Sequence, residues 1–169
     1  MGDTKNGFYV TAEEITAENA IFLPENWGQQ FESLKQIDPT HYEREMAYEQ
    51  VRAKDFPEKP SRLYGNFLFE TLDSARWYVH TLGENCSIYS ATFASDLKQH
   101  YGPYLLSPYG AEKVDDTIIN RYWSSDAELI SDGRITYSPF EIVIDGQFEV
   151  IGKIDFITGN VVGFDPQAF

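Results

Sequence analysis

The sequence predicts an α+β fold: a single domain over residues 1–169, with a mixed, mainly antiparallel sheet and three or four helices. Three observations predict it. Segments of strand and helix character follow in the order β, helix, β, helix, β, helix, and end in a run of strands. Residues 138–156, SPFEIVIDGQFEVIGKIDF, set two apolar runs (140–144 and 148–157) either side of Asp145-Gly146, the dipeptide that best suits a type I′ hairpin turn. Finally, 169 residues with 42% hydrophobic and 15% aromatic content exclude a disordered chain. A chain of this length buries roughly 70% of its unfolded surface.

Taken in order, residues 7–11 (GFYVT) are short, aromatic and β-branched, and read as a first strand. Residues 19–23 suggest a second short strand and 29–37 a helix, with Pro24 and Gly28 marking a loop between them. A longer helix follows, with Asp38 or Thr40 as N-cap and Pro39 tolerated near its start. Its apolar stripe reads as Tyr42, Met46, Ala47 and Val51, and Pro57 and Pro60 end it. Residues 63–69 read as a strand and 73–82 as a helix, with Ala75, Tyr78, Val79 and Leu82 on one face and Gly83 as its stop. Residues 88–93 form the next strand, and 95–110 an irregular loop or partial helix. Residues 111–123 carry Val114, Ile118 and Tyr122 at helical spacing. The polar stretch 124–134 connects to the hairpin, and Thr158-Gly159-Asn160 turns the chain into a last strand, VVGF.

Within the expected hairpin, a two-residue loop pairs Ile144 with Gln147, Val143 with Phe148 and Glu141 with Val150. That places Glu141 on one face with Val143, Phe148 and Val150, and leaves Glu149 on the other. A carboxylate in apolar company is costly unless it is paired, solvated or employed. Glu141 is therefore the residue that needs a reason. It can be a plain strand-edge carboxylate paired with Lys153 or Arg134, or a functional one.

Charge narrows the partners. Thirteen Lys+Arg against 27 Asp+Glu give a net charge of −14, which repels nucleic acid and anionic membranes and attracts basic proteins. The acidic residues are dispersed, with no acidic tail. A single cysteine, Cys86, excludes an internal disulfide and fits a reducing compartment. The first ten residues lack a signal-peptide pattern and no apolar run approaches 18 residues, so a cytoplasmic protein is expected. His41, His80 and His100 are scattered, and no metal-ligand spacing, nucleophile elbow or phosphate loop is present, so no metal is expected.

Three stretches combine. The early aromatic strand GFYVT, the strand–helix unit SRLYGNFLFETLDSARWY and the late glutamate of PFEIVIDGQFEV resemble the ADP-ribosyltransferase superfamily in order and spacing over most of residues 7–157. The resemblance implies an ADP-ribosyltransferase-like fold that takes NAD as substrate, cleaves the nicotinamide–ribose bond and moves ADP-ribose to a macromolecular acceptor, expected to be a protein. It implies that Glu141 hydrogen-bonds the ribose hydroxyl and stabilises the cation-like sugar of the transition state. Tyr9, Thr11, Arg62 and Tyr64 are the expected NAD-binding residues. Tyr9 and Tyr64 would stack on nicotinamide, and Arg62 would hold the diphosphate. Tyr122 and Trp123 match the family's acceptor-recognition loop in position. Small enzymes of this family are common among toxins and phage counter-defence proteins. One departure is Val10, where the family carries His or Arg. Three readings stay open: Arg62 supplies that cation, NAD binds differently, or the site is inactive.

Each assignment has a plainer counterpart. The aromatics can be core or rim residues, and Arg62 can cap the preceding helix or pair with Glu58. A second function class also fits the net charge: an acidic inhibitor, DNA-mimic or immunity-type, that covers a basic partner protein.

Overall fold

The computed structural model describes residues 2–163, apart from 24, 83–84 and 132–133. In chain order its elements are β1 (Thr4–Thr11), β2 (Ile21–Phe22), α1 (Glu25–Ile37), α2 (Pro39–Asp55), β3 (Asn66–Phe69), α3 (Leu72–Leu82), β4 (Ser87–Ala94), β5 (Gln99–Pro103), α4 (Asp116–Trp123), β6 (Glu128–Ser131), β7 (Arg134–Tyr137), β8 (Phe140–Ile144), β9 (Phe148–Ile154) and β10 (Val161–Gly163). The main sheet runs β10-β9-β4-β1-β3-β8-β5, with β2 added to β9, and β6–β7 form a separate ribbon. The α+β class, the single domain and the four helices agree with the sequence reading. The sheet is simpler than the mixed one expected, because every pairing among the described residues is antiparallel. No described helix is long and apolar enough to cross a membrane.

The expected hairpin is absent. β8 pairs with β3 and β5, and β9 with β4, β10 and β2, so Glu141 stands opposite Phe69 and Gly102 rather than Val150. Phe148 stands opposite Phe93 and Phe22. The turn chemistry explains the difference. A type I′ turn needs positive φ at both central residues, and among the described residues only Asn85, Ser125 and Gly159 have it. Residues 145–147 instead make a corner, pinned by Asp145 N donating to Lys98 O (2.9 Å) and Asn66 Nδ2 donating to Gly146 O (2.8 Å). A Cβ on Gly146 would come within 2.6 Å of the Leu97 side chain, so the corner is packed closed. β8 and β9 are four strands apart, about 19 Å in a flat sheet, yet the four Cα steps from Ile144 to Phe148 reach at most about 14 Å. The sheet therefore curls, and Ile144, Phe148 and Val150 meet in one core cluster with Leu68, Tyr89 and Phe93.

Local signals set most other boundaries. Asp38 caps α2 by accepting from His41 N (3.1 Å), and Thr71 Oγ1 accepts from Ser74 N (3.1 Å) at the start of α3. α4 begins later than its periodicity suggests, because Asp115 is the cap and accepts from Ile118 N (3.0 Å). β3 is shorter than the expected 63–69, because Gly65 N bonds back to Ser61 O (2.9 Å) and turns residues 61–65. A Cβ on Gly65 would lie 2.8 Å from both Ser61 O and Val143 Cγ1, so glycine is required there. The loop expected at 95–110 contains β5, and the polar connection 124–134 contains β6, which pairs with β7. Gly83 as helix stop, and Phe164 in the last strand, fall outside the described residues.

The two faces of the sheet carry different cores. Leu68, Ile142 and Ile144 belong to the cluster with Phe148, whereas Phe69, Ile88 and Ile154 pack with Ala75, Tyr78 and Val79 of α3. A third cluster joins α2 and α4 through Tyr48, Ile119, Tyr122 and Trp123. That third layer covers the Glu141 side of β8.

Candidate active site

The pairing of β1 creates the site. Against β4 it forms a ladder of eight residue pairs, from Thr4↔Ala94 to Thr11↔Ser87. Against β3 the described residues make one pair, Phe8↔Phe69. Continuing that register would set Tyr9 beside Leu68 and Thr11 beside Asn66, and neither pair forms. The strands diverge, and a cleft of about 790 Å³ opens between them. Tyr9, Val10 and Thr11 form one lip and residues 66–69 the other, with Tyr78, Tyr104, Tyr109 and Phe22 adding aromatic wall. Backbone groups along the two lips are released from the ladder and can meet a ligand amide.

Glu141 lies at the closed end of this split. Phe8, Phe69, Glu141 and Gly102 form one register row across β1, β3, β8 and β5. The Glu141 residue is 5% exposed, yet it lines the cleft. Among the described residues both hydrogen bonds to its carboxylate arrive at Oε1. One comes from Arg62 Nη1 and one from Tyr122 Oη, at 2.7 Å. Among the described residues no hydrogen bond reaches Oε2, and Glu141 itself lines the cleft.

Arg62 is itself 1% exposed, and four of its five N–H groups are paired. Its Nε and Nη2 donate to Glu45 at 3.0 Å each, and Nη1 donates to Tyr122 Oη at 2.5 Å as well as to Glu141. Its guanidinium also lies 4.7 Å from the Phe67 ring centroid. Two carboxylates thus share one guanidinium in a space closed by α2 and α4. Burial works against the charge on Arg62, but Glu141 and Glu45 outweigh it and hold Arg62 well above its usual range. Burial pushes the Glu141 carboxyl up, and Arg62 and Tyr122 only partly pull it back. Burial likewise raises the Tyr122 phenol well above its usual value. His100, opposite Val143, is driven down to about 3, first by burial and then by repulsion from Lys59 and Arg62. It is therefore neutral, and its Nε2 donates to Tyr122 O (3.1 Å).

Of the residues singled out from the sequence, Tyr9, Thr11, Arg62 and Glu141 line this one cleft. Tyr9 is held against Phe22 and Phe148, with ring centroids at 4.8 and 5.0 Å, and burial raises its phenol. Tyr64 does not join them, because it sits exposed in the 61–65 turn. Arg62 pairs with Glu45 rather than Glu58, and Glu141 with Arg62 rather than Lys153 or Arg134. Glu45 takes the Nε–Nη2 edge and Tyr122 and Glu141 take Nη1, which leaves Arg62 one N–H and no free two-donor edge for a diphosphate. Tyr122 and Trp123 are not on an exposed loop. Both are fully buried in α4, and the Trp123 indole donates to Tyr48 O (3.0 Å), so neither meets an acceptor at the surface. Among the described residues no group of three or more His, Cys, Asp or Glu is placed to hold a metal ion. A second cleft of about 700 Å³, beside Cys86 and Lys153, is lined by none of the sequence-predicted site residues.

Residues 4–156 match a protein family described as a protein of unknown function, DUF2441. The chain belongs to this DUF2441 family. No curated protein matches it. The DUF2441 match spans β1 to the end of β9, and so takes in both lips of the cleft, Glu45, Arg62, Tyr122 and Glu141.

Sequence reasoning missed Glu45, because a glutamate in a helix ordinarily reads as a solvent-facing residue. A signal was present. Glu45, Tyr48 and Arg52 recur at helical spacing one position off the assigned stripe, and Glu45 and Tyr48 are the buried residues of α2.

Proposed function

We propose that this DUF2441 protein is an NAD-dependent ADP-ribosyltransferase that cleaves the nicotinamide–ribose bond and transfers ADP-ribose to a protein acceptor. The observation that carries this reading is Glu141. Its carboxylate is anchored through Oε1 and lines a cleft between two diverging strands with aromatic walls. The three stretches that resemble the superfamily supply β1, β3 and β8, the two lips and the glutamate strand beside them.

Oε2 of Glu141 accepts a hydrogen bond from the ribose hydroxyl next to the reacting carbon. As the C–N bond breaks, its electron pair stays with the nicotinamide nitrogen and the sugar becomes cation-like. With Glu141 ionised, two carboxylates against one guanidinium leave a single net negative charge beside that carbon. Such a charge, fixed in low dielectric, favours the transition state over the ground state. The acceptor nucleophile then bonds to the sugar carbon and loses its proton. Tyr9 and the aromatic wall offer flat apolar surface to the nicotinamide ring, and the free backbone of the lips can pair with its carboxamide.

Nicotinamide release from NAD, measured with and without cell lysate, tests this. Wild type is expected to turn over and Glu141→Gln to lose roughly 100-fold or more in kcat, while circular dichroism shows both folded. Because burial raises the Glu141 carboxyl, the rate should fall on acidification at a pH above the ordinary carboxylate range. A folded wild type that leaves NAD intact under all these conditions overturns the proposal.

A further inference from the structure

We propose that Glu45 is a positioning residue for Glu141, acting through Arg62 to fix both the orientation of the Glu141 carboxylate and the net negative charge at the cleft. The role in catalysis rests on the ADP-ribosyltransferase reading; the arrangement of charge does not.

Glu45 is 0% exposed and does not line the cleft, so it touches no substrate. It grips Arg62 on the Nε–Nη2 edge. A guanidinium is planar and rigid, so fixing that edge fixes where Nη1 lies. Nη1 then meets Tyr122 Oη and Glu141 Oε1, and the Tyr122 hydroxyl donates to the same Oε1. The order of contact is Glu45, Arg62, then Glu141, with Tyr122 closing the triangle.

The charge follows the same route. If Arg62 faced Glu141 alone, the pair would be neutral and the carboxylate would offer little to a cation-like sugar. Glu45 offsets Arg62 and leaves Glu141 as the uncompensated charge. The other titratable groups facing Glu141 do not disturb this balance. The phenols of Tyr48, Tyr78, Tyr104 and Tyr109 are all pushed up by burial, that of Tyr109 to about 12, and stay neutral. His100 is neutral above about 3.

The two neighbours of Glu141 act with opposite sign. Removing the Glu45 charge leaves Arg62 to stabilise ionised Glu141, so its carboxyl should titrate lower. Removing the Tyr122 hydroxyl takes a hydrogen bond from the carboxylate, so Glu141 should titrate higher. A merely structural role predicts a different pattern. Any variant that loosens the cluster lets water in and moves Glu141 toward the ordinary carboxylate value, in the same direction in every case.

The experiment is a titration of the full chain labelled with ¹³C-glutamate, with the Glu141 resonance assigned by Glu141→Gln. Wild type should titrate above the ordinary carboxylate range. Glu45→Gln should move Glu141 down by about one pH unit or more, Tyr122→Phe should move it up, and Glu45→Asp should stay near wild type. If both Glu45→Gln and Tyr122→Phe move it down, or wild type already titrates at or below the ordinary range, the proposal is overturned. Should Glu45→Gln not fold, Glu45→Asp decides, and a Glu141 titration shifted from wild type in the same direction as that of Tyr122→Phe overturns the proposal. In the NAD assay, Glu45→Gln should lose roughly 10-fold in kcat with KM little changed, and Glu45→Asp should recover most of it. A raised KM at unchanged kcat would make Glu45 a binding residue instead. If wild type does not consume NAD, the transferase reading falls, and the titration still decides whether Glu45 positions Glu141.

Discussion

The strands either side of Asp145-Gly146 begin almost alike: Phe-Glu-Ile-Val-Ile at 140–144 and Phe-Glu-Val-Ile-Gly at 148–152. Their fates differ. In β8 Glu141 and the three residues after it are buried, whereas β9 alternates strictly, with Glu149, Ile151 and Lys153 exposed. Both strands have neighbours on either side, so ladder position does not separate them. What separates them is the third layer. α2, the 61–65 turn and α4 bring Glu45, Arg62 and Tyr122 over one face of β8. A glutamate at the second position of such a strand is thus a surface group or a site, depending on what is packed above it.

The largest test of that difference removes the counter-charge. Arg62→Met keeps much of the side-chain volume but leaves Glu45 and Glu141 buried without a cation. Breaking a buried pair from one side costs about 3–5 kcal/mol. Guanidinium unfolding at pH 7 should show a loss of that size, or no folded state. The penalty should shrink as pH falls, because burial raises the Glu141 carboxyl and its protonation removes one of the two uncompensated charges. A loss under about 1 kcal/mol, typical of an exposed pair, would mean that β8 is no more tightly covered than β9.

A smaller effect is expected from the backbone beneath the cluster. Gly102 stands opposite Glu141, and a Cβ there would clash with Tyr122 Cε2 and come within 2.6 Å of Tyr122 Oη. Gly102→Ala must therefore push the Tyr122 ring off the hydroxyl position that holds Glu141. Overpacking of this kind costs about 1–3 kcal/mol. Thermal unfolding should show it, and the Glu141 carboxyl should lose its tyrosine hydrogen bond. An unchanged midpoint would show that Tyr122 is free to move and does not anchor the carboxylate.

The same contrast shows what was legible in the chain. β1, α2, α3, β4 and the apolar runs of β8 and β9 were readable, because their periodicity is local and is carried by residues with one strong preference. Glu141 is identifiable as a carboxylate in costly company, but of the apolar neighbours expected on its face only Val143 lies in its own strand, and the hairpin that would add Phe148 and Val150 does not form. Its actual neighbours are not legible. Asp145-Gly146 suggested a hairpin, yet Asn66 and Lys98, 80 and 47 residues before Gly146 and Asp145, hold that corner, and no local rule contains them. β5 was missed because Gln-His-Tyr-Gly-Pro has little strand character and becomes a strand only beside β8. The Arg62 partner is not legible either, because Glu45 lies 17 residues earlier and one position off the apolar stripe of α2.

The smallest expected effect sharpens the comparison most. Glu149 and Glu141 hold the same place in their strands, so Glu→Gln is the same chemical change at both. At Glu149, exposed between Thr92 of β4 and Ile21 of β2, no ion pair forms among the described residues, and the change should move stability by no more than about 0.5 kcal/mol. At Glu141 the amide must replace a carboxylate that takes two donors at Oε1. Its NH₂ group either faces Arg62 or turns to the cleft, so the cost should be about 1–3 kcal/mol. Urea unfolding of the two variants, side by side at pH 7, measures both. Equal small losses would show that the Arg62 cluster holds Glu141 no more firmly than water holds Glu149. The asymmetry, if found, belongs to the layer above β8 rather than to the strand, since the two strand sequences scarcely differ.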